Sequence, residues 1–177
     1  LSLSMLVLTG IALADPGARD TVRVEYTETD PGVDVGVPIT LFNDENLGGY
    51  SLGFHWASPD ITIDSVSYIG TRIFPLQNLQ NVIDNENQTL LSGWVDFTGV
   101  FPIEPGDGLI FTVWFDVPPE TPEQFVYIDS IFVPPAGYFT LSAQVGGSIY
   151  PEFIGNVIKI GEPGTIGFTP ESDGIYA

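Results

Sequence analysis

The amino-acid sequence predicts an all-β chain folded as a single β-sandwich of about nine strands. Three observations predict it. Apolar and polar residues alternate at period two in short runs. In residues 49–57, for example, Tyr50, Leu52, Phe54 and Trp56 share one face and Ser51, Gly53 and His55 the other. The 20 glycines and 15 prolines recur between such runs, where a chain of short strands needs turns. No run carries the periodicity and caps of a long amphipathic helix.

Residues 1–14 (LSLSMLVLTGIALA) form an apolar run ending in Ala12-Leu13-Ala14, followed by Asp15-Pro16. Small residues at the −3 and −1 positions before a polar start make a signal-peptide cleavage pattern. The run is short for a membrane span, opens with Leu and lacks a basic start. It reads as a signal peptide truncated at its beginning, so fold reasoning starts near Asp15. The expected organisation is a signal segment (1–14), a sandwich domain (15–161) and a tail of linker composition (162–177).

Within the domain, residues 21–28 alternate Val22, Val24 and Tyr26 with polar residues, as a half-buried strand does. Asp30-Pro31-Gly32 is a turn. Residues 35–43 place Val35, Val37, Ile39 and Leu41 on one face, and Pro38 marks an edge or bulge. After the strand at 49–57, residues 61–69 show Ile61 and Ile63, then Val66 and Tyr68, so the phase flips near Asp64-Ser65 as a β-bulge makes it. Residues 74–88, rich in Asn and Gln, read as an irregular loop. Strands follow at 89–97, 109–117 and 125–133, with short late strands at 138–142 and 156–160.

Composition excludes several function classes. Four basic against 23 acidic residues give a net charge of −19, which repels nucleic acid and anionic membranes. Without cysteine there is no disulfide, thiolate nucleophile or Cys-ligated zinc. A single histidine, His55, rules out a multi-histidine metal site within the chain, and no Gly-x-Ser-x-Gly elbow accompanies it. The chain is expected not to be an enzyme.

The run VPITLFN, a turn, then GGYSLGFHWASPDITIDSVS, together with IEPGDGLIFTVWFDV at 103–117, resembles the cohesin-like modules of cellulosome scaffoldins and other exported proteins. The resemblance spans about two-thirds of the domain in layout. It implies a jelly-roll sandwich of about nine strands whose role is protein attachment, typically to a dockerin, or display on the cell surface.

Residue chemistry adds candidate sites. Asp30, Asp34, Asp44, Glu45 and Asn46 fall in neighbouring loops if the first two strands pair, and their oxygens suit Ca²⁺, the one cofactor considered; solvated turn residues are the alternative. Asp84 to Asn87 form a second acidic group, and Asn87-Gln88-Thr89 is a glycosylation sequon. Trp94 with Asp96, and Trp114 with Asp116, read as outward aromatic platforms for a sugar or a protein; burial of these rings is the alternative. The expected function is a secreted, non-catalytic attachment or assembly module at the cell surface. Its partner would be another extracellular protein or copies of itself. A carbohydrate-binding module that takes polysaccharide and a self-assembling filament subunit are the alternatives.

Overall fold

The alternating runs at 35–43 and 49–57 become interior strands of two different sheets. The computed structural model describes residues 17–135 and 137–162. The expected signal segment lies outside the described residues, as does all of the expected tail except Glu162.

In chain order the first strands are β1 (Thr21–Val24), β2 (Thr27–Thr29), β3 (Val35–Asn43), β4 (Leu47–Trp56), β5 (Thr62–Ser67), β6 (Gln80–Asp84) and β7 (Thr89–Val95). They are followed by β8 (Gly106–Asp116), β9 (Gln124–Ser130), β10 (Thr140–Ala143), β11 (Ser148–Ile149), β12 (Glu152–Ile154) and β13 (Asn156–Ile160). The first sheet has the order β12-β1-β3-β8-β5. The second runs β11-β10-β4-β9-β13-β2, with β7 also paired to β4 and β6 outside it. No helix occurs among the described residues.

The all-β class and the sandwich stand as expected, but the described residues hold thirteen strands rather than nine. Two of the four extra strands come from segments that change sheets, and β6 and β11 are the other two. The run read as one strand at 21–28 breaks after Val24, so that β1 pairs β3 in the first sheet while β2 pairs β13 in the second. The end of the chain does the same, with β12 parallel to β1 and β13 antiparallel to β9. Such corner strands close the ends of a sandwich.

The core lies between the sheets. Val22, Val24, Val37, Ile39, Leu41 and Val113 come from the first sheet, and Leu52, Phe54, Trp56, Leu90, Val126 and Ile158 from the second. Phe54 sits in the middle, with ring centroids of Phe111, Phe139 and Phe153 at 6.0, 5.7 and 6.2 Å. Trp56, 1% exposed, satisfies its indole N–H on Ile61 O at 3.2 Å. Burying a side chain of this size contributes about 1.5–3 kcal/mol.

Two local expectations hold. The register of β5 on β8 shifts between Ile63 and Ser65, the position of the phase flip. Pro38 lies in an interior strand rather than at an edge, and the register of β3 on β8 shifts one residue beyond it, between Ile39 and Thr40, as a bulge makes it. One expectation is corrected. The stretch 74–88 is not wholly irregular, because β6 forms an antiparallel hairpin with β7. Its Gln80, Asn81 and Val82 are all exposed, so this edge strand has no buried face to impose an alternation on its sequence.

Candidate functional site

The second sheet turns its outer face to solvent along β6, β7, β4 and β9. The residues facing out of β4 are Ser51, Gly53 and His55, small or half-buried, while Tyr50, Leu52, Phe54 and Trp56 face in. On β9 the alternation places Val126 and Ile128 inside and Phe125, Tyr127 and Asp129 outside. Phe125 is 48% and Tyr127 59% exposed, and Val82 on β6 is 59% exposed. His55 stands opposite Asp129 in register, and Lys159 stands opposite Phe125.

Beyond β9 the chain stays beside β4 for one more residue, with Ile131 N–H donating to Gly53 O at 2.9 Å. It then leaves the sheet as a hairpin closed by the Val133↔Gly137 bridge, before β10 resumes the pairing with β4. Gly53 is required beneath this hairpin: a Cβ there would stand 2.3 Å from Ile131 O and 3.1 Å from Val133 Cγ2. At the base of the hairpin Phe132 and Tyr138 pack with ring centroids 4.8 Å apart and planes tilted by 49°, and both are exposed. The outer face therefore carries two aromatic ridges on a sheet floor of small residues, with few charges between them. An aromatic-rich face of this kind is typical of interface cores.

The two expected platforms separate. Trp114 faces outward from β8 beside Thr112 and Asp116, as expected, and is 41% exposed. It lies on the first sheet, where its ring covers Gly36 of β3; a Cβ on Gly36 would come within 3.1 Å of Trp114 Cζ2. Trp94 is corrected. It is 5% exposed, stands opposite the core residue Tyr50, and donates its indole N–H to Gln77 O at 2.8 Å. Directly opposed residues share a face, so the inward Tyr50 takes Trp94 inward with it. Asp96 is engaged by its own loop. Its carboxylate accepts the Thr98 and Phe101 backbone N–H groups and the Thr98 hydroxyl, which hold it below the usual carboxylate range. The loop it folds forms one wall of a cavity of about 720 Å³ beside Trp94, with Phe74, Leu76 and Phe101 among its lining.

The five residues expected to share Ca²⁺ also separate. Asp30 and Asp34 sit in the turn before β3, where Gly32 N–H donates to Val117 O, whereas Asp44, Glu45 and Asn46 sit in the turn after it. Nine residues of extended strand lie between them, so the two groups are about 30 Å apart. Asn46 turns away, donating to Gln144 Oε1 at 3.2 Å. The structure instead brings Asp44 and Glu45 to Asp20, with one carboxylate oxygen of each within 4.8 Å of the others. Burial first, then the neighbouring carboxylates of Asp44 and Asp20, push the Glu45 carboxyl up from 4.5 to about 7. Neither Glu45 carboxylate oxygen accepts a hydrogen bond, although both are buried.

The other acidic group is self-contained. Asp84 accepts the Glu86 and Asn87 backbone N–H groups and the Asn87 side-chain amide, a turn that lowers its pKa below 3.8. Asn87 is exposed at this hairpin tip. Asn85, which the sequence did not single out, acts as a staple: it exchanges hydrogen bonds with Ile63 N and O across to β5. Arg72 was missed too. It donates to the carbonyls of Leu41, Glu104 and Gly106, tying the connection after β5 to the end of β3 and the start of β8. Neither residue has a sequence signal, since both act through backbone groups brought close only by folding.

No family model matches the chain, and no curated protein does. Solved structures do. A chain of a type I cohesin–dockerin complex from Clostridium thermocellum is similar at a TM-score of 0.70 and 13% identity, over 80% of this chain and 99% of that one. The seventh ScaB type I cohesin of Pseudobacteroides cellulosolvens is similar at 0.68 and 17% identity, over 84% and 96%. A non-cellulosomal cohesin from the archaeon Archaeoglobus fulgidus is similar at 0.62 and 19%, over 81% and 92%. The fold is thus the cohesin-like jelly-roll sandwich.

Proposed function

We propose that the chain is an exported, non-catalytic attachment module that binds a separate extracellular protein through the outer face of its second sheet. The observation that carries the reading is the pair of aromatic ridges on that face, Phe125 with Tyr127 and Phe132 with Tyr138, exposed and set around small β4 residues. The fold supports it, because solved structures of the same fold include cohesins in complex with dockerins. Charge supports the chemistry of the partner. A chain of net charge −19 is met by a partner whose docking surface is apolar at its centre and neutral or basic around it. The apolar run and small-residue cleavage pattern at 1–14 support export and an extracellular or cell-surface location.

The test is capture from the native secretome on the immobilised chain, alongside the Tyr127→Asp and Val82→Asp variants. Both positions are exposed, so the fold is expected to tolerate them. A distinct protein retained by the wild type and lost with both variants is the expected result. Retention on polysaccharide that disappears with Trp114→Ala, with no protein captured, would replace this reading by a sugar-binding one. That second reading rests on Trp114 alone, now that Trp94 is buried.

A further inference from the structure

We propose that Asp20, Asn43, Asp44 and Glu45 form a Ca²⁺ site that pins the residues before β1 to the turn between β3 and β4. The carboxylates alone would not carry this, since a chain with 23 acidic residues brings some together by chance. Asn43 supplies the independent observation. It is 0% exposed, and its amide nitrogen donates to Glu45 O at 2.7 Å and Glu104 O at 3.2 Å. Those two acceptors fix the orientation of the amide, because the flipped form would set an oxygen against two carbonyls. Asn43 Oδ1 is therefore a true acceptor, and it is buried with no donor. A buried polar group left so costs about 1–3 kcal/mol unless something satisfies it.

The strand register says which residue Asn43 faces. β1 pairs β3 with Thr21 opposite Phe42, so one step further Asp20 faces Asn43. Alternation puts both side chains on the inner face, with Val22 and Leu41, and both are 0% exposed. Asn43 thus stands opposite the carboxylate that Asp44 and Glu45 also approach. Asp20 Oδ1 already accepts the Asp44 N–H at 3.4 Å, and Asp44 Oδ2 accepts the Ala18 N–H at 2.6 Å.

The donor set selects the ion. It is all oxygen, three carboxylates and one amide carbonyl, with no nitrogen or sulfur, which suits a hard cation. Ca²⁺ at about 2.3–2.6 Å from each ligand places opposite oxygens about 4.6–5.2 Å apart. The three carboxylate oxygens lie within 4.8 Å of one another, so a single ion reaches all of them. Mg²⁺ requires a strict octahedron at about 2.0–2.1 Å and keeps several waters, which a partly buried, irregular set of ligands from two chain segments does not offer.

The test titrates CaCl2 into the EDTA-stripped chain in about 0.15 M KCl, where diffuse attraction to the acidic surface is screened. Calorimetry and thermal melts are read together. One ion per chain is expected, with a melting temperature raised by roughly 5–10 °C at about 100 times the Kd. MgCl2 at the same concentration is expected to do less. Glu45→Gln and Asp20→Asn should each weaken binding at least about tenfold, the effect of losing one charged ligand. Glu45→Gln should melt no lower than the wild type in EDTA, since the Glu45 oxygens make no hydrogen bond there; should Asp20→Asn fail to fold, that variant decides alone. Absence of saturable binding to the wild type, or binding that Glu45→Gln leaves unchanged, overturns the proposal and leaves a cluster neutralised by protons or by diffuse ions.

Discussion

Two acidic turns of this protein have nearly the same composition and opposite physics. In the β6–β7 turn, Asp84 is surrounded by donors: two backbone N–H groups and the Asn87 amide. In the β3–β4 turn, Glu45 is buried among other carboxylates, and their effect outweighs that of its own backbone N–H. The first carboxyl is easier to ionise than usual and the second harder. The lesson is that an acidic run is characterised by the donors folding brings to it, not by its charge. Asp84 finds its donors within three residues, so the turn solves its own problem. Asp44 and Glu45 have their environment set by Asp20, more than 20 residues away in the chain.

The contrast can be tested at each turn, beginning with the largest effect. Asn43→Ala removes the amide that caps Glu45 O and Glu104 O in a fully buried position, and should cost about 2–3 kcal/mol in urea denaturation. Asn87→Ala in the other turn, exposed, should cost well under about 1 kcal/mol. Equal losses would mean that the β3–β4 turn is not the buried one.

Next comes the sign of the pH dependence in EDTA. Glu45 has a folded pKa above its unfolded value, so between 4.5 and about 7 the native state holds more protons and stability falls as pH rises. Asp84 has a folded pKa below 3.8, so its contribution is present above that value and is lost as pH falls through the folded pKa. Denaturation midpoints measured between pH 4.5 and about 7 should slope downward with pH in the wild type and flatten in Glu45→Gln. A slope that persists in that variant would assign the effect elsewhere. The smallest expected effect is Asp84→Asn at neutral pH. The amide oxygen still accepts the backbone N–H groups, so a shift in melting temperature near the limit of detection is expected, and a large one would show that the charge matters more than the turn geometry.

The same distinction explains what was legible in the sequence. The inner faces of β3 and β4 were readable, because alternation over nine residues admits one phase when the opposite face is mostly polar or small. Trp94 was not readable. Its strand has Leu90 and Trp94 on one face and Leu91 and Val95 on the other, so either phase looks buried, and only the pairing of Trp94 with Tyr50 settles it. Trp114 was readable because Phe111, Val113 and Phe115 mark an unambiguous inner face in β8. The strand β6 escaped because an edge strand with both faces largely exposed has no hydrophobic pattern to show.

By itself the sequence determined the all-β class, the sandwich, the phase of its strongest strands and the chemistry it lacks, since these follow from local alternation, turn residues and composition. Tertiary structure alone decided which acidic residues meet, which tryptophan is a surface and where strands change sheets. Asp20 reaches Asp44 and Glu45, and Trp94 reaches Tyr50, through strand register, and register joins residues whose separation along the chain leaves no mark on the pattern of either segment.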